Sequence, residues 1–188
     1  QIEGFGSRYQ VSDASTWGWC AAGIWADDPR QSWYYGFSAT HDYRTGPAPA
    51  TGPIVNYTEQ RLLRSIHDTV RSPLYAIDEQ HVYVYGHSMG GSGAMSFAFR
   101  RPDLFVAIDA LVPVVAYNEG DKDKGRKLGW HSNTFRLEGY CGPLSLTCSD
   151  GMPLKVRLDS RIFTRGHPGD LPFLVIANGR NDGSIPWH

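Results

Sequence analysis

The amino-acid sequence predicts an α/β protein with a mostly parallel sheet flanked by helices. Three short apolar runs with the character of buried strands occupy residues 81–86, 104–115 and 171–179. A helical pattern separates the first two runs, and a long polar stretch separates the last two. Because parallel strands need a crossover connection, this alternation favours a parallel sheet covered by helices.

Size and charge indicate one globular domain without bulk affinity for polyanions. The chain has 188 residues, of which 41% are apolar, enough for one sizeable core. Eighteen basic and 19 acidic residues give a formal net charge of -1, so no basic face for nucleic acid or anionic membranes is implied. No apolar run approaches the roughly 20 residues that span a bilayer. We therefore predict a single domain over residues 1–188 and a small-molecule or polymeric neutral partner.

The first predicted helix follows a Pro/Gly connector. Asn56 is suited to cap its N-terminus, and Glu59 stands where the acidic partner of a capping box belongs. Pro73 ends the pattern. One face of the helix is apolar and comprises Leu62, Leu63, Ile66 and Val70.

A second helix is predicted from Met89 to about Arg100, with Met95, Ala98 and Phe99 facing inward. Beyond the next strand, residues 116–170 form a long, irregular, glycine-rich stretch. We interpret this stretch as a lid-like or loop insertion.

Two cysteines lie close together in the Gly/Pro-containing loop CGPLSLTC. The loop could bring Cys141 and Cys148 within bridging distance, which predicts a disulfide and hence an oxidising, secreted or periplasmic location. The alternative is two unlinked thiols. Cys20, in a tryptophan-rich segment, suits a buried apolar position.

The motif GHSMG, residues 86–90, falls where a predicted strand ends and a helix begins. A serine in this setting forms a nucleophile elbow, in which a strained backbone lifts the Ser88 hydroxyl clear of the sheet edge. Gly86 and Gly90 permit the close approach of strand and helix, and Gly91 and Gly93 keep the helix against the sheet. The alternative is that Ser88 caps the helix and has no chemical role.

The sequence around this motif resembles the α/β-hydrolase superfamily, and the resemblance extends along nearly all of the chain. The segment GHSMGGSGAMSFAFRRPDLFVAIDALVPV is similar to the elbow, following helix and sixth strand of secreted bacterial serine hydrolases. Within that superfamily, the polyhydroxyalkanoate-depolymerase-like esterases and the prolyl-oligopeptidase-like hydrolases are the most similar groups. SWYYGF and VNYTEQRLLRSIHDTV also resemble them. The resemblance implies a Ser, Asp/Glu, His triad in that chain order, an oxyanion hole and no cofactor.

The acid of the implied triad follows the seventh strand of the family. Asp182 holds that position after a buried strand and a glycine turn, and the alternative for it is a turn-forming Asp before Gly183. Asp109, near the end of the preceding strand, is the reserve candidate. It is equally suited to be a buried, hydrogen-bonded structural group.

Two backbone N–H groups are implied for the oxyanion hole. One belongs to Met89, directly after the serine, and the other to Phe5 or, less well matched, Gly6. Glu3 stands where the family has His. A carboxylate there would oppose a developing oxyanion unless its side chain points away.

The base of the triad is not found at its expected place. His188 follows Asp182 by only six positions, whereas the family places a helix and a strand between acid and base. We expect the triad histidine beyond His188. The resemblance also implies that only about strands 4 to 7 of the family's eight are present, so that the remaining chain or another chain supplies the missing strands.

Carboxylic-ester hydrolysis is the leading functional interpretation. A peptidase of the prolyl-oligopeptidase type uses the same triad, and a non-catalytic binding relative would tolerate Glu3 and the missing histidine. The aromatic residues Trp33, Tyr34 and Tyr35 would shape an ester site, although such clusters more often pack a core.

Overall fold

The computed structural model describes residues 22–26, 28, 32–42, 51–115, 146–182 and 185. Within these ranges the chain forms a three-stranded parallel sheet, a two-stranded antiparallel ribbon and four helices. In chain order the elements are β1 (Phe37–Ser38), β2 (Ile54–Val55), α1 (Tyr57–Val70), β3 (Tyr83–His87), α2 (Met89–Arg100), β4 (Ala107–Leu111), α3 (Leu154–Leu158), α4 (Ser160–Gly166) and β5 (Phe173–Ala177).

The parallel sheet has the order β3-β4-β5. His87, Leu111 and Ala177 are register partners at its carboxyl edge, so all three strands end together. The predicted parallel strands are therefore confirmed as the three that the apolar runs indicated. A fourth strand of this sheet is not found among the described residues, where the β1–β2 ribbon is a separate antiparallel pair.

Helix α2 covers one face of the sheet. Val84 and Ile108, on that face, are 6% and 1% exposed. The prediction that Met95, Ala98 and Phe99 face inward is confirmed, but every residue of α2 from 89 to 99 is buried. The helix lies inside the molecule because the sheet packs on one side and other elements, among them α4 and the 32–36 loop, pack on the others.

Helix α1 begins after Asn56 as predicted, but its N-terminus is not a capping box. Asn56 makes no side-chain cap hydrogen bond, and its Oδ1 instead accepts from Gln60 Nε2 at 2.7 Å. The Glu59 N–H donates to the Tyr35 carbonyl at 3.0 Å, and its carboxylate pairs with Arg100. The predicted capping box is wrong because a buried guanidinium is a stronger partner for Glu59 than a backbone N–H at the solvent boundary.

Part of the predicted insertion is regular structure. Helices α3 and α4 occupy residues 154–166, and the chain before them docks on β2. The Ile54 N–H donates to the Thr147 carbonyl at 2.9 Å, and the Ser149 N–H donates to the Ile54 carbonyl at 2.8 Å. The prediction of an irregular stretch is thus wrong for these residues. Residues 116–145 lie outside the described ranges, so a lid there stays a prediction.

Cys148 is a free thiol, 2% exposed, at the junction of this docked segment with β2. The predicted disulfide with Cys141 is not confirmed, and Cys141 itself lies outside the described residues. The sulfur occupies a packed site, as a small apolar group does. Burial raises the pKa of the Cys148 thiol above its ordinary value, and the neighbouring Tyr35 and Arg157 side chains lower it by less.

The aromatic triplet of the 32–36 loop belongs to the core. Trp33, Tyr34 and Tyr35 are 1%, 0% and 4% exposed, so none presents a surface to a substrate in this structure. Trp33 and Tyr34 have positive φ angles of 55° and 58°, and both oxygens of the buried Asp28 carboxylate support this turn. These three residues therefore pack in the core, which is the alternative left open for them, and do not line an ester site in this structure.

Candidate active site

Ser88 has the strained backbone that a nucleophile elbow requires. Its φ is 57° and its ψ is -121°, between the last residue of β3 and the first of α2. A non-glycine residue in such a region costs about 1–3 kcal/mol and persists only where its surroundings hold it. The Ser88 N–H donates to the Leu111 carbonyl at 2.9 Å, which ties the turn to the end of β4.

The glycines around Ser88 are required by close backbone contacts. A Cβ at Gly86 would overlap the Gly90 carbonyl, and one at Gly91 would lie 2.5 Å from the Leu111 oxygen. These contacts confirm the predicted approach of strand and helix. At Gly93 the expected contact is wrong: a Cβ there would overlap the Tyr34 ring, so this glycine admits the buried aromatic loop and not the sheet.

The Ser88 hydroxyl is not used for capping. Ser88 occupies the N-cap position of α2, yet its side chain makes no cap hydrogen bond. The residue is half-buried, and its Oγ forms no hydrogen bond within the described part of the chain. The alternative in which Ser88 serves only as a helix cap is therefore excluded.

Met89 places a backbone donor beside the serine. As the first residue of α2, it belongs to the turn whose N–H groups have no acceptor within the helix. Its side chain is 2% exposed and anchors that turn in the core. An N–H at a helix N-terminus next to the serine suits an oxyanion. Glu3, Phe5 and Gly6 lie outside the described residues, so the second donor stays a prediction.

Asp182 follows β5 by five residues and lies on the carboxyl side of the same sheet. Its N–H donates to the Gly179 carbonyl at 3.1 Å, and its Oδ1 accepts from the Ile185 N–H at 3.0 Å. Asp182 therefore forms a turn, as its alternative role requires. Its role as the triad acid stays a prediction. Ser88 and the end of β5 are separated by two strand spacings, about 10 Å, which is room for an imidazole between them.

Asp109 does not occupy a position suited to the triad acid. It lies mid-strand in β4, paired with Tyr85 and Val175, two residues before the carboxyl edge. Strand alternation places it on the sheet face opposite α2. Its Oδ1 is buried and has no hydrogen-bond partner in the described residues. The idea that Asp109 is a satisfied structural group is therefore also wrong for that oxygen.

Three of the described histidines are engaged in local hydrogen bonds. His67, His81 and His167 make hydrogen bonds to groups one to three residues away in sequence. His87, directly before Ser88, is exposed at the end of β3. His188 lies outside the described residues, and the expected position of the triad histidine beyond it stays a prediction.

Two features of the site had no clear signal in the sequence. Ser92, 0% exposed, bonds to the elbow and to the segment after β4. Val112 has φ 46°, which is rare for a β-branched residue, and its N–H donates to the Ala177 carbonyl at 2.7 Å. A valine gives no sequence signal for such a turn, whereas a buried serine in the first helical turn after the motif offers a weak one.

Neither a metal site nor a membrane span is found in the part of the chain that the structure describes. It holds no group of three His, Cys, Asp or Glu side chains placed to bind a metal ion. None of its helices has the length and apolar character needed to cross a bilayer.

A strand, a strained serine and a helix at the carboxyl edge of a parallel sheet define an α/β-hydrolase, here in part. The chain belongs to the Esterase family, whose model matches residues 27–137. Among solved structures it is similar to an S-formylglutathione hydrolase from Agrobacterium tumefaciens, at 24% identity and a TM-score of 0.36. That match covers 59% of this chain and 36% of the hydrolase. No curated protein matches the chain in sequence.

Proposed function

We propose that the protein is a serine hydrolase that cleaves carboxylic esters through an acyl-enzyme on Ser88. The observation that carries this proposal is the Ser88 side chain: it sits on a strained backbone, at the carboxyl edge of the sheet, with no hydrogen bond to a described residue. A structural serine in that position would use its hydroxyl to cap α2. Membership of the Esterase family supports esters as the substrate class.

In the proposed reaction, the Ser88 oxygen attacks the acyl carbon of the ester and its proton passes to a histidine. The carbonyl oxygen becomes an oxyanion and is held by the Met89 N–H, with the Phe5 N–H as the proposed second donor. Collapse breaks the ester C–O bond, and the imidazolium returns the proton to the leaving alcohol. Water then attacks the acyl-enzyme, gives its proton to the same imidazole and releases the carboxylic acid, while Ser88 recovers its proton.

Asp182 is the proposed orienting acid for that histidine. Its place after β5 supports the assignment, and a carboxylate that holds Nδ1–H keeps Nε2 free for the serine proton. The histidine itself is proposed to lie beyond residue 188.

The sheet face opposite α2 supports completion of the fold by the rest of the chain or by another chain. Tyr83, Phe173 and Val175, on that face, are 61%, 70% and 44% exposed. Asp109 lies among them with an unbonded, buried Oδ1. Exposed aromatic and branched side chains around an unsatisfied carboxylate oxygen suit a covering helix that brings one hydrogen-bond donor. We therefore propose that a helix from the rest of the chain or from another chain covers this face.

The substrate class is tested with wild-type full-length protein and the Ser88→Ala variant. We expect p-nitrophenyl acyl esters to be hydrolysed by the wild type and not by the variant, and peptide p-nitroanilides to be cleaved by neither. Amide cleavage at a rate comparable to ester cleavage would favour the peptidase alternative. Equal, background rates for both proteins with every substrate would favour the non-catalytic relative.

A further inference from the structure

Ser92 joins the elbow to the chain segment that follows β4. Its hydroxyl donates to the Ser88 carbonyl at 3.1 Å and accepts from the Val114 N–H at 2.7 Å. The side chain is completely buried, so water does not substitute for either partner. Both hydrogen-bonding roles of the hydroxyl are filled by backbone groups from two different elements.

The segment that Ser92 holds is itself fixed on other sides. Val112 donates its N–H to the Ala177 carbonyl of β5, and the Val115 carbonyl accepts from the Ser160 N–H of α4 at 3.3 Å. Val112 also carries the positive φ described above. Residues 112–115 therefore form a strained connection clamped between β5, α4 and, through Ser92, the elbow.

The backbone of Ser88 is held by the same segment and by Ser92. Its N–H is bound by the Leu111 carbonyl, at the start of this segment, and its own carbonyl is bound by both the N–H and the hydroxyl of Ser92. A strained φ relaxes unless the neighbouring structure prevents it. Without the Ser92 hydroxyl, the Val114 N–H would remain buried and unsatisfied, and the segment would shift to find an acceptor.

We infer that Ser92 is a positioning residue for the Ser88 nucleophile, an inference that rests on the proposed hydrolase function. It does not touch the substrate. Its hydroxyl fixes the elbow against the segment after β4, and thereby sets where the Ser88 hydroxyl and the Met89 N–H stand relative to the acyl carbon. A displacement of about 1 Å at such groups is expected to lower the rate roughly 100-fold.

Ser96 provides a matched control on the same helix. It is one turn farther along α2 and 4% exposed, and its hydroxyl donates only to the Gly93 carbonyl within the helix, at 3.3 Å. Ser92→Ala and Ser96→Ala remove the same atom from equally buried sites. Only the first removes a bond between the elbow and another element.

The test uses the full-length protein carrying each change. It compares kcat and KM for hydrolysis of an acyl ester, together with the midpoint of thermal unfolding. We expect Ser92→Ala to lower kcat roughly 10- to 100-fold with little change in KM, and Ser96→Ala to keep the wild-type kcat. Ser92→Thr retains the hydroxyl and is expected to recover part of the kcat. For a variant with a lowered thermal midpoint, the rate at which fluorophosphonate labels the folded fraction gives a second measurement of Ser88 reactivity.

An unchanged kcat and labelling rate in Ser92→Ala, beside an active wild type, would overturn the positioning role and leave the hydrolase proposal intact. An equal loss of kcat in Ser96→Ala would also overturn it, because the effect would then follow from burial alone. A wild type no faster than Ser88→Ala would overturn the hydrolase function and the role of Ser92 with it.

Discussion

Glu59 and Arg100, 41 residues apart, form a buried ion pair that joins α1 to the end of α2. Arg100 Nε donates to Glu59 Oε2 at 2.5 Å. Both side chains are buried, with exposed fractions of 8% for Glu59 and 5% for Arg100. The guanidinium also lies over the Tyr35 ring, 5.0 Å from its centroid. The pair therefore connects α1, α2 and the aromatic loop at the end of α2 remote from Ser88.

Removing the charge of Glu59 is expected to destabilise the fold strongly. Glu59→Gln leaves Arg100 as an uncompensated buried cation, which costs about 3–5 kcal/mol. The free energy of unfolding from urea titration measures this loss, and Glu79→Gln, at an exposed position, is the control. A loss under about 1 kcal/mol, the range of surface ion pairs, would show that the pair is solvated in solution.

Adding one methyl group at the elbow is expected to disrupt it. In Gly91→Ala the new Cβ meets the Leu111 carbonyl at 2.5 Å, the same oxygen that accepts from the Ser88 N–H. We expect a loss of about 1–3 kcal/mol in stability, as for other overpacked sites, and a larger relative loss in ester hydrolysis. Gly166→Ala is the matched control, since nothing lies within 4 Å of its added Cβ. Equal activity in the two variants would contradict the close packing at Ser88.

Cys148 is expected to be unreactive in the native protein and free in the denatured one. Its thiol is buried, and burial raises its pKa, so little thiolate forms near neutral pH. Peptide mapping after iodoacetamide treatment without reductant should find Cys148 alkylated only when denaturant is present. Absence of alkylation in denaturant would instead support the disulfide with Cys141.

The same thiol predicts a pH dependence of stability. The folded pKa of Cys148 is raised, so the unfolded thiol, with a pKa of about 8.5, loses its proton first as the pH increases. Its contribution to stability is complete below that pH and declines above it. Wild type should therefore lose more stability than Cys148→Ala between pH 7.5 and 9.5, measured by urea unfolding. Parallel losses in the two proteins would show that the thiol is accessible to solvent.

Local features of the sequence predicted the sheet and the elbow, because the signals for them lie within a few residues of each other. The three apolar runs became β3, β4 and β5, and Gly86 and Gly91 lie at the close backbone contacts expected for them. Features set by distant partners were missed. Glu59 was assigned to a local cap because its partner, Arg100, is 41 residues away.

The same limit applies at Cys148, whose predicted disulfide is not confirmed, and at Ser92, whose role the sequence does not indicate. Proximity to Cys141 in sequence suggested a bridge, whereas the position of Cys148 is set by pairing of its segment with Ile54 of β2. Ser92 reads as an ordinary small helical residue, and only the fold brings the Val114 N–H, 22 residues later, to its hydroxyl. Interactions between segments remote in sequence leave no periodicity to detect.

The role of Ser88 is tested most directly by the position of a fluorophosphonate adduct in the full-length protein. Phosphonylation requires an activated serine, so we expect one adduct, on the peptide that contains Ser88, and none in Ser88→Ala. Tandem mass spectrometry locates the modified residue. An adduct on another serine, or ester hydrolysis that continues in Ser88→Ala, would contradict the assignment of Ser88 as the nucleophile.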